Sequence, residues 1–272
     1  MNQDRSLLQL RRITKIFSKG TIDEVTALDN INLDVNAEDY ITIIGSNGAG
    51  KTTVLNIIAG VFPPERGGKV IVSGTDITGL SEYKHAAYVG RVYQDPHIGT
   101  AAKMTIEENL AMAVLRGQPR SLRPASDKQR RELFRLALSP LGLGLENRLS
   151  AQVGTLSSGQ RQAVALVMAT ISKPALLLLD EHTANLDPRT AKIVLDLTEM
   201  IVQREKMTTV MVTHNMELAL HYGNRLIMMH EGQIVVDLNQ EQRAGLTIND
   251  LIAAFEKASG RTFDEDNALL TG

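Results

Sequence analysis

The stretch Gly45-Ser46-Asn47-Gly48-Ala49-Gly50-Lys51-Thr52-Thr53 leaves this chain few folds to choose from. It fits the pattern G-x-x-x-x-G-K-[ST], and its flanks are the ones the pattern requires. Tyr40-Ile41-Thr42-Ile43-Ile44 ahead of it is a short β-rich run. Val54, Leu55, Ile57, Ile58 and Ala59 behind it form an apolar helical stripe that ends at Gly60. A strand, a glycine loop and a helix in that order let backbone N–H groups turn inward around an anion, and the helix N-terminus adds the positive end of its dipole. In such a loop Lys51 reaches the β- and γ-phosphates and the Thr52 hydroxyl ligates Mg²⁺. The expectation is a chain that binds a nucleoside triphosphate.

Composition narrows the class. A chain of 272 residues can bury a full α/β core with a subdomain. A formal net charge of −2 gives no global field that would make nucleic acid the main partner. There is no cysteine, so no disulfide and no thiolate metal site. The start, MNQDRSLLQL, lacks the basic and apolar regions of a signal peptide, so none is expected. The longest apolar runs fall well short of the ~18 residues of a membrane span. A membrane role is therefore expected to come through a partner.

Along the chain, residues 8–17 read as a strand, and Asn30-Ile31-Asn32-Leu33-Asp34-Val35 alternates at period two. Lys69-Val70-Ile71-Val72 and residues 88–93 read as further strands. The short strands up to Val72 suggest an antiparallel β-subdomain beside the nucleotide-binding core, and the strand over 88–93 follows it and ends at Gln94. Thr105-Ile106-Glu107-Glu108 is a capping box ahead of a helix, and Leu133, Phe134, Leu136, Ala137 and Leu138 mark the apolar face of a second one. Between and along these helices run Arg116, Arg120, Arg123, Lys128, Arg130, Arg131 and Arg135. That run reads as a solvated face, with contact to anionic lipid headgroups as the sharper alternative.

A long helix is expected over 160–171. Leu176-Leu177-Leu178-Leu179-Asp180-Glu181 then reads as a buried parallel strand opening onto two carboxylates. Asp187-Pro188 starts a helix with apolar Ile193, Val194, Leu197, Met200 and Ile201. A strand over 208–213 leads to His214, a hairpin turns at Glu231-Gly232, and Thr247 caps a last helix.

Leu156-Ser157-Ser158-Gly159-Gln160-Arg161-Gln162 closely resembles the signature of ATP-binding cassette (ABC) proteins. Its small polar residues ahead of a helix form a second anion-binding N-terminus, which makes most sense if it serves the nucleotide of another subunit. The resemblance spans residues 7–240 and implies an α/β P-loop NTPase core with an antiparallel β-subdomain and an inserted α-helical subdomain. It implies boundaries of 1–96 for the first part of the core, 97–160 for the helical subdomain, 161–240 for the second part and 241–272 for a C-terminal helix and tail.

On the same resemblance, Asp180 looks like the Walker B aspartate that holds Mg²⁺, and Glu181 like the general base. Ala184-Asn185-Leu186-Asp187 resembles the D-loop, His214 the switch histidine that senses the γ-phosphate, and Gln94 the Q-loop glutamine near Mg²⁺. Phe17 is the candidate for stacking on adenine. Ser157, Ser158, Gly159 and Gln160 would meet the ATP of a second copy.

Three positions depart from the family pattern. Ser158 stands where glycine is commonest, Phe17 where tyrosine is usual and His182 where proline often follows the glutamate. A histidine beside Glu181 could shift that carboxylate's pKa.

Finer similarity, in residues 94–102 and 224–232, is to ATPase subunits of bacterial importers with branched-chain-amino-acid-type permeases, some linked to tryptophan or other aromatic amino acids. The implied partners are a second copy in a head-to-tail dimer, membrane permease subunits and, indirectly, a substrate-binding protein. The implied place is the cytoplasmic face of the cell membrane. An exporter ATPase or a soluble ABC switch remains the alternative.

Overall fold

The computed structural model describes residues 6–118 and 127–260. In chain order the first segment holds β1 (Ser6–Phe17), β2 (Val25–Asn36), β3 (Tyr40–Gly45), α1 (Lys51–Ile58), β4 (Lys69–Val72), β5 (Thr75–Asp76) and α2 (Glu82–His85). Next come β6 (Val89–Val92), α3 (Pro96–Gly99), α4 (Ile106–Val114), α5 (Lys128–Leu138), α6 (Ser158–Thr170), β7 (Leu176–Asp180) and α7 (Pro188–Glu205). The last segment holds β8 (Thr208–Val212), α8 (Met216–His221), β9 (Arg225–His230), β10 (Gln233–Leu238), α9 (Gln240–Arg243) and α10 (Ile248–Ser259). The chain divides into two compact units, one built from the parts before Ala86 and after Lys206, the other from Ala86–Lys206.

The first unit carries two sheets. One is antiparallel, in the order β2-β1-β4-β5. The period-two pattern of β2 produces it: Ile31, Leu33 and Val35 are buried while Asn30, Asn32 and Asp34 face solvent. Leu8 and Leu10 of β1 pair with Val35 and Leu33 on one side and with Val72 and Val70 on the other. In the second sheet β3 runs parallel to both β8 and β9, and β9 turns back into β10. Residues 41–44 of β3 are buried on both faces, as a central parallel strand requires. The β9–β10 turn uses Glu231 at φ 45° and Gly232 at φ 77°, the left-handed pair that fits the twist of a tight hairpin.

Beyond β10, α10 lays Leu251 and Phe255 into a cluster with Ile44, Met216, Ala219, Leu226 and Met228. The C-terminal region expected as one helix is thus the two helices α9 and α10; the acidic residues Asp264, Glu265 and Asp266 lie outside the described residues.

In the second unit β6 and β7 pair in parallel, with Val92 beside Leu179. Helix α6 is its centre, buried from Arg161 to Thr170 on nearly every face, so its sequence shows almost no amphipathic stripe. Two expected faces are narrower than the sequence suggests. In α5 only Phe134 and Leu138 are fully covered, while Leu133 is 43% and Leu136 63% exposed. In α7 the buried stripe runs through Val194, Leu195, Leu197, Thr198, Ile201 and Val202, which leaves Ile193 and Met200 toward solvent. A helix five apolar positions wide has covered only the part of its surface that a neighbour reaches, and polar Thr198 takes a buried place because its hydroxyl is satisfied.

The basic run is likewise divided. Arg116 is half-buried and donates to the carbonyl of Met168 at 3.1 Å, and burial lowers its pKa. Arg131 pairs with both oxygens of Glu107 at 2.8 Å, and Arg135 lies 3.6 Å from Glu132. Arg131 stays exposed, as a solvated face expects, while Arg116 is drawn inward onto α6, which corrects that reading for this one residue. Arg120 and Arg123 fall outside the described residues.

Candidate active site

In the first unit the loop between β3 and α1 is shaped by three glycines at positive φ: Gly45 at 152°, Gly48 at 78° and Gly50 at 96°. Two of them admit no side chain at all. A Cβ on Gly45 would stand 2.2 Å from the carbonyl oxygen of Met229, and one on Gly50 2.5 Å from that of Ala27. The tip of the β9–β10 hairpin braces the loop from outside, with Gly232 N–H donating to the Ala49 carbonyl at 3.2 Å.

Helix α1 opens at Gly50, which has no side chain to cap it, so its first-turn N–H groups receive nothing from the N-cap side chain. Lys51 is buried, and its ammonium group donates to the carbonyls of Gly45 (2.6 Å) and Ser46 (2.9 Å). Asn47 and Thr52 are exposed, and Ser46 and Thr53 half-buried. A glycine loop at a helix N-terminus that carries one ammonium group is suited to cradle a polyphosphate.

His214 stands at the same edge of the sheet. It follows β8, which pairs in parallel with β3 at Ile43 and Val212. Thr213 N–H bonds to the carbonyl of Ile43 at 3.1 Å, and Asn215, the next residue, caps α8 through its side chain. The strand that delivers the glycine loop therefore also fixes the backbone before His214.

Phe17 ends β1 and is 37% exposed. Its ring meets that of Phe62 edge to face at 5.3 Å, and Lys15 Nζ lies 5.5 Å from the first ring centroid and 5.1 Å from the second. Phe62 was not legible as a site residue, although a phenylalanine in a loop stands out in a chain that is only 4% aromatic.

In the second unit the parallel pair β6 and β7 brings Gln94 and the acidic pair to one edge, since Val92 lies beside Leu179. Gln94 is exposed and Glu181 half-buried. Asp180 is 8% exposed, and Arg91 on β6 donates to its Oδ2 at 2.6 Å. Glu181 sits at φ 44°, a left-handed conformation uncommon outside glycine, and closes a turn in which its carbonyl accepts from Ala184 N–H at 3.0 Å. Its neighbour His182 is fully buried, with Nε2 3.1 Å from Thr198 Oγ1, and burial holds its pKa down at about 4. The imidazole is therefore neutral near pH 7.

At the start of α6, Ser157 and Gln160 form a capping box: each side chain accepts from the other's backbone N–H at 3.3 Å. Ser158 is the first helical residue and is exposed, so a Cβ is tolerated there. Gly159 is buried, and a Cβ on it would come 2.1 Å from the Thr190 methyl. Asp187 caps α7 by accepting from Thr190 N–H at 3.1 Å, and its bonds with Thr190, side chain first and backbone second, lower its pKa.

A glycine cradle on a strand–loop–helix unit, with carboxylates at the ends of parallel strands, defines a P-loop nucleotide-binding protein. The comparisons narrow this class. A family model described as "ABC transporter" matches residues 28–184. A tyrosine transport ATP-binding protein of Clostridioides difficile is 41% identical over 93% of this chain and 100% of its own. A phosphonates import ATP-binding protein of Cupriavidus metallidurans is 31% identical over 98% of this chain and 94% of its own. A solved dimeric ATP-binding cassette in a post-hydrolysis state, bound to ADP and phosphate, superposes with a TM-score of 0.73 at 26% identity, over 86% of this chain and 98% of that one. The chain belongs to the ABC transporter family, whose cassettes bind and hydrolyse ATP, and it is an ATPase subunit of that family.

Proposed function

We propose that this ATPase drives a bacterial importer of an amino acid or a similar small solute. The observation that carries this is full-length similarity to the tyrosine transport subunit, together with an intact phosphate cradle. The relative named for phosphonates import supports the inward direction. Among the described residues no helix is long and apolar enough to cross a membrane, so we assign the chain a peripheral place on the cytoplasmic face, docked on permease subunits that receive cargo from a binding protein.

In this reading Gly45, Ser46, Asn47, Gly48, Ala49 and Gly50 wrap the phosphates, Lys51 neutralises them, and Phe17 with Phe62 meets the adenine. A magnesium ion would be held by Thr52, Asp180 and Gln94, each through oxygen, the donor a hard cation prefers. It would neutralise charge on the transferred phosphoryl group. Glu181 takes a proton from the attacking water, and His214 positions the γ-phosphate.

Two copies close head to tail, so that the signature of each meets the other's ATP; the relative solved as a dimer supports pairing of two cassettes. The Ser157 hydroxyl accepts from Gln160 N–H within its own helix, so its hydrogen is left to donate to a phosphate oxygen. ATP binding then favours the closed dimer, and hydrolysis removes that bias.

The test is reconstitution of the chain with its permease and binding protein in vesicles. The expected result is ATP-dependent uptake of an aromatic amino acid that is lost in Lys51→Ala. Efflux of that solute, or a cargo of another class, would overturn the assignment.

A further inference from the structure

Gln162, the last residue of the signature-like stretch, is fully buried on α6. Its Nε2 donates to the carbonyl of Tyr93 at 3.0 Å and to the carbonyl of His182 at 2.7 Å. An amide nitrogen has two hydrogens, so both are spent, and the assignment of oxygen and nitrogen is forced because both partners only accept. The cost is visible: Gln162 Oε1 is buried and has no hydrogen-bond partner.

The two carbonyls belong to functional peptides. That of Tyr93 shares its peptide plane with the N–H of Gln94. That of His182 lies directly after Glu181, whose backbone is held at φ 44°. The far end of His182 is fastened to Thr198 on α7, so its carbonyl cannot swing without cost. One side chain on the signature helix thus grips both the Gln94 loop and the loop of the proposed general base.

We infer that Gln162 is a positioning residue that sets Glu181 and Gln94 by the placement of α6, so that the water-activating geometry follows the helix whose N-terminus meets the partner's ATP. This rests on the reading of Glu181 as the base. A shift of α6 is passed to both loops through a single amide, and hydrolysis becomes sensitive to whether the signature is engaged.

The test uses the full chain with Gln162→Met, which keeps the length and loses both donors, and Gln162→Glu, which keeps the shape and offers only acceptors. For each, kcat, KM, ATP affinity by titration and the thermal midpoint are measured. We expect kcat to fall by about tenfold or more, as small misplacements of catalytic groups do. ATP affinity should stay within about twofold, because the cradle around Lys51 belongs to the other unit. Gln162→Glu should regain rate relative to the wild-type profile as pH falls and its carboxyl recovers a donor.

An unchanged kcat in folded Gln162→Met overturns the inference. So does a loss in which ATP affinity falls in step with kcat, which marks a purely structural role. If neither variant folds, the wild type decides by NMR: Gln162 side-chain amide protons must exchange far more slowly than those of exposed Gln94, and equal rates overturn the inference. Glu181→Gln is the control. Undiminished hydrolysis there removes the base assignment, whereas loss there without loss in Gln162→Met removes this inference alone.

Discussion

Arg91 donates to Oδ2 of Asp180 at 2.6 Å across the parallel strands β6 and β7, with both side chains about nine-tenths buried. The guanidinium also stacks 4.5 Å over the ring of Tyr93. Removing one partner of such a pair leaves a charge without compensation in a low dielectric. Arg91→Met should therefore cost about 3 kcal/mol of stability, the lower end of the usual range because the pair lies at a strand end. Mg²⁺ with ATP should restore more stability to the variant than to the wild type, since a divalent ion near Asp180 replaces the lost charge. Urea unfolding with and without MgATP measures both quantities, and equal ligand-induced gains would argue against Asp180 as a magnesium residue.

Buried His182 makes stability depend on pH. Its folded pKa, about 4, lies below the unfolded value near 6.5, so the unfolded chain takes up the proton first. The contribution is complete above about pH 6.5 and is lost as pH falls toward 4. Linkage gives a loss of about 2 kcal/mol by pH 5. His182→Leu should remove this slope without orphaning Thr198, whose hydroxyl still donates to the Val194 carbonyl at 2.7 Å. Denaturant melts of both proteins between pH 7 and pH 5 decide it, and a slope retained in the variant would locate the titration elsewhere.

The contrast between these residues shows what a sequence discloses. The glycine loop was legible because its conformation depends on backbone alone: positive φ at Gly45, Gly48 and Gly50 needs glycine whatever surrounds it. The capping boxes at Thr105 and Ser157 were legible because their partners lie three residues away. Arg91, Gln162 and Phe62 were not, because each acts on something 20 or more positions distant: Asp180, His182 and Tyr93, and Phe17. Arg91 left one trace, a charge in the middle of an otherwise apolar strand just ahead of Gln94. Gln162 was visible only as the end of the signature-like stretch, and nothing local to it pointed to the two carbonyls it holds. Ile193, Leu133 and Leu136 mark the opposite failure, where periodicity names a helix face but not the width that a neighbour covers.

Lys51→Ala removes the ammonium group of the cradle and should weaken ATP binding by at least about 3 kcal/mol, since charge-assisted hydrogen bonds contribute about 1.5–3 kcal/mol each. A calorimetric titration measures this. Near-wild-type affinity would contradict the cradle.

Phe17→Ala should cost about 1–3 kcal/mol of ATP affinity if the ring meets the base. Phe62→Ala should cost part of that, because Phe62 holds the Phe17 ring edge-on at 5.3 Å. Inorganic triphosphate has no base to stack, so its affinity should be unaffected in both variants. Equal losses for ATP and triphosphate would show that the aromatic pair serves folding instead.

Glu181→Gln separates binding from chemistry. Glutamine keeps the shape of the side chain, so the cradle around Lys51 and the turn closed by Ala184 should still form. It cannot accept the proton of the attacking water, and general-base assistance is typically worth 10²–10⁴ in rate. With hydrolysis slowed and binding intact, ATP should stay trapped between Lys51 of one copy and Ser157 of the other. The expected behaviour is a monomer without nucleotide that becomes a stable dimer only with ATP and the substitution together. Adding Ser157→Arg should undo the dimer, because a long side chain at the N-cap of α6 displaces the capping box and fills the space meant for phosphate. Sedimentation with and without ATP reads the outcome directly. Hydrolysis at the wild-type rate in Glu181→Gln would remove Glu181 as the base, and a stable ATP-bound monomer would remove the head-to-tail arrangement while leaving the phosphate cradle in place.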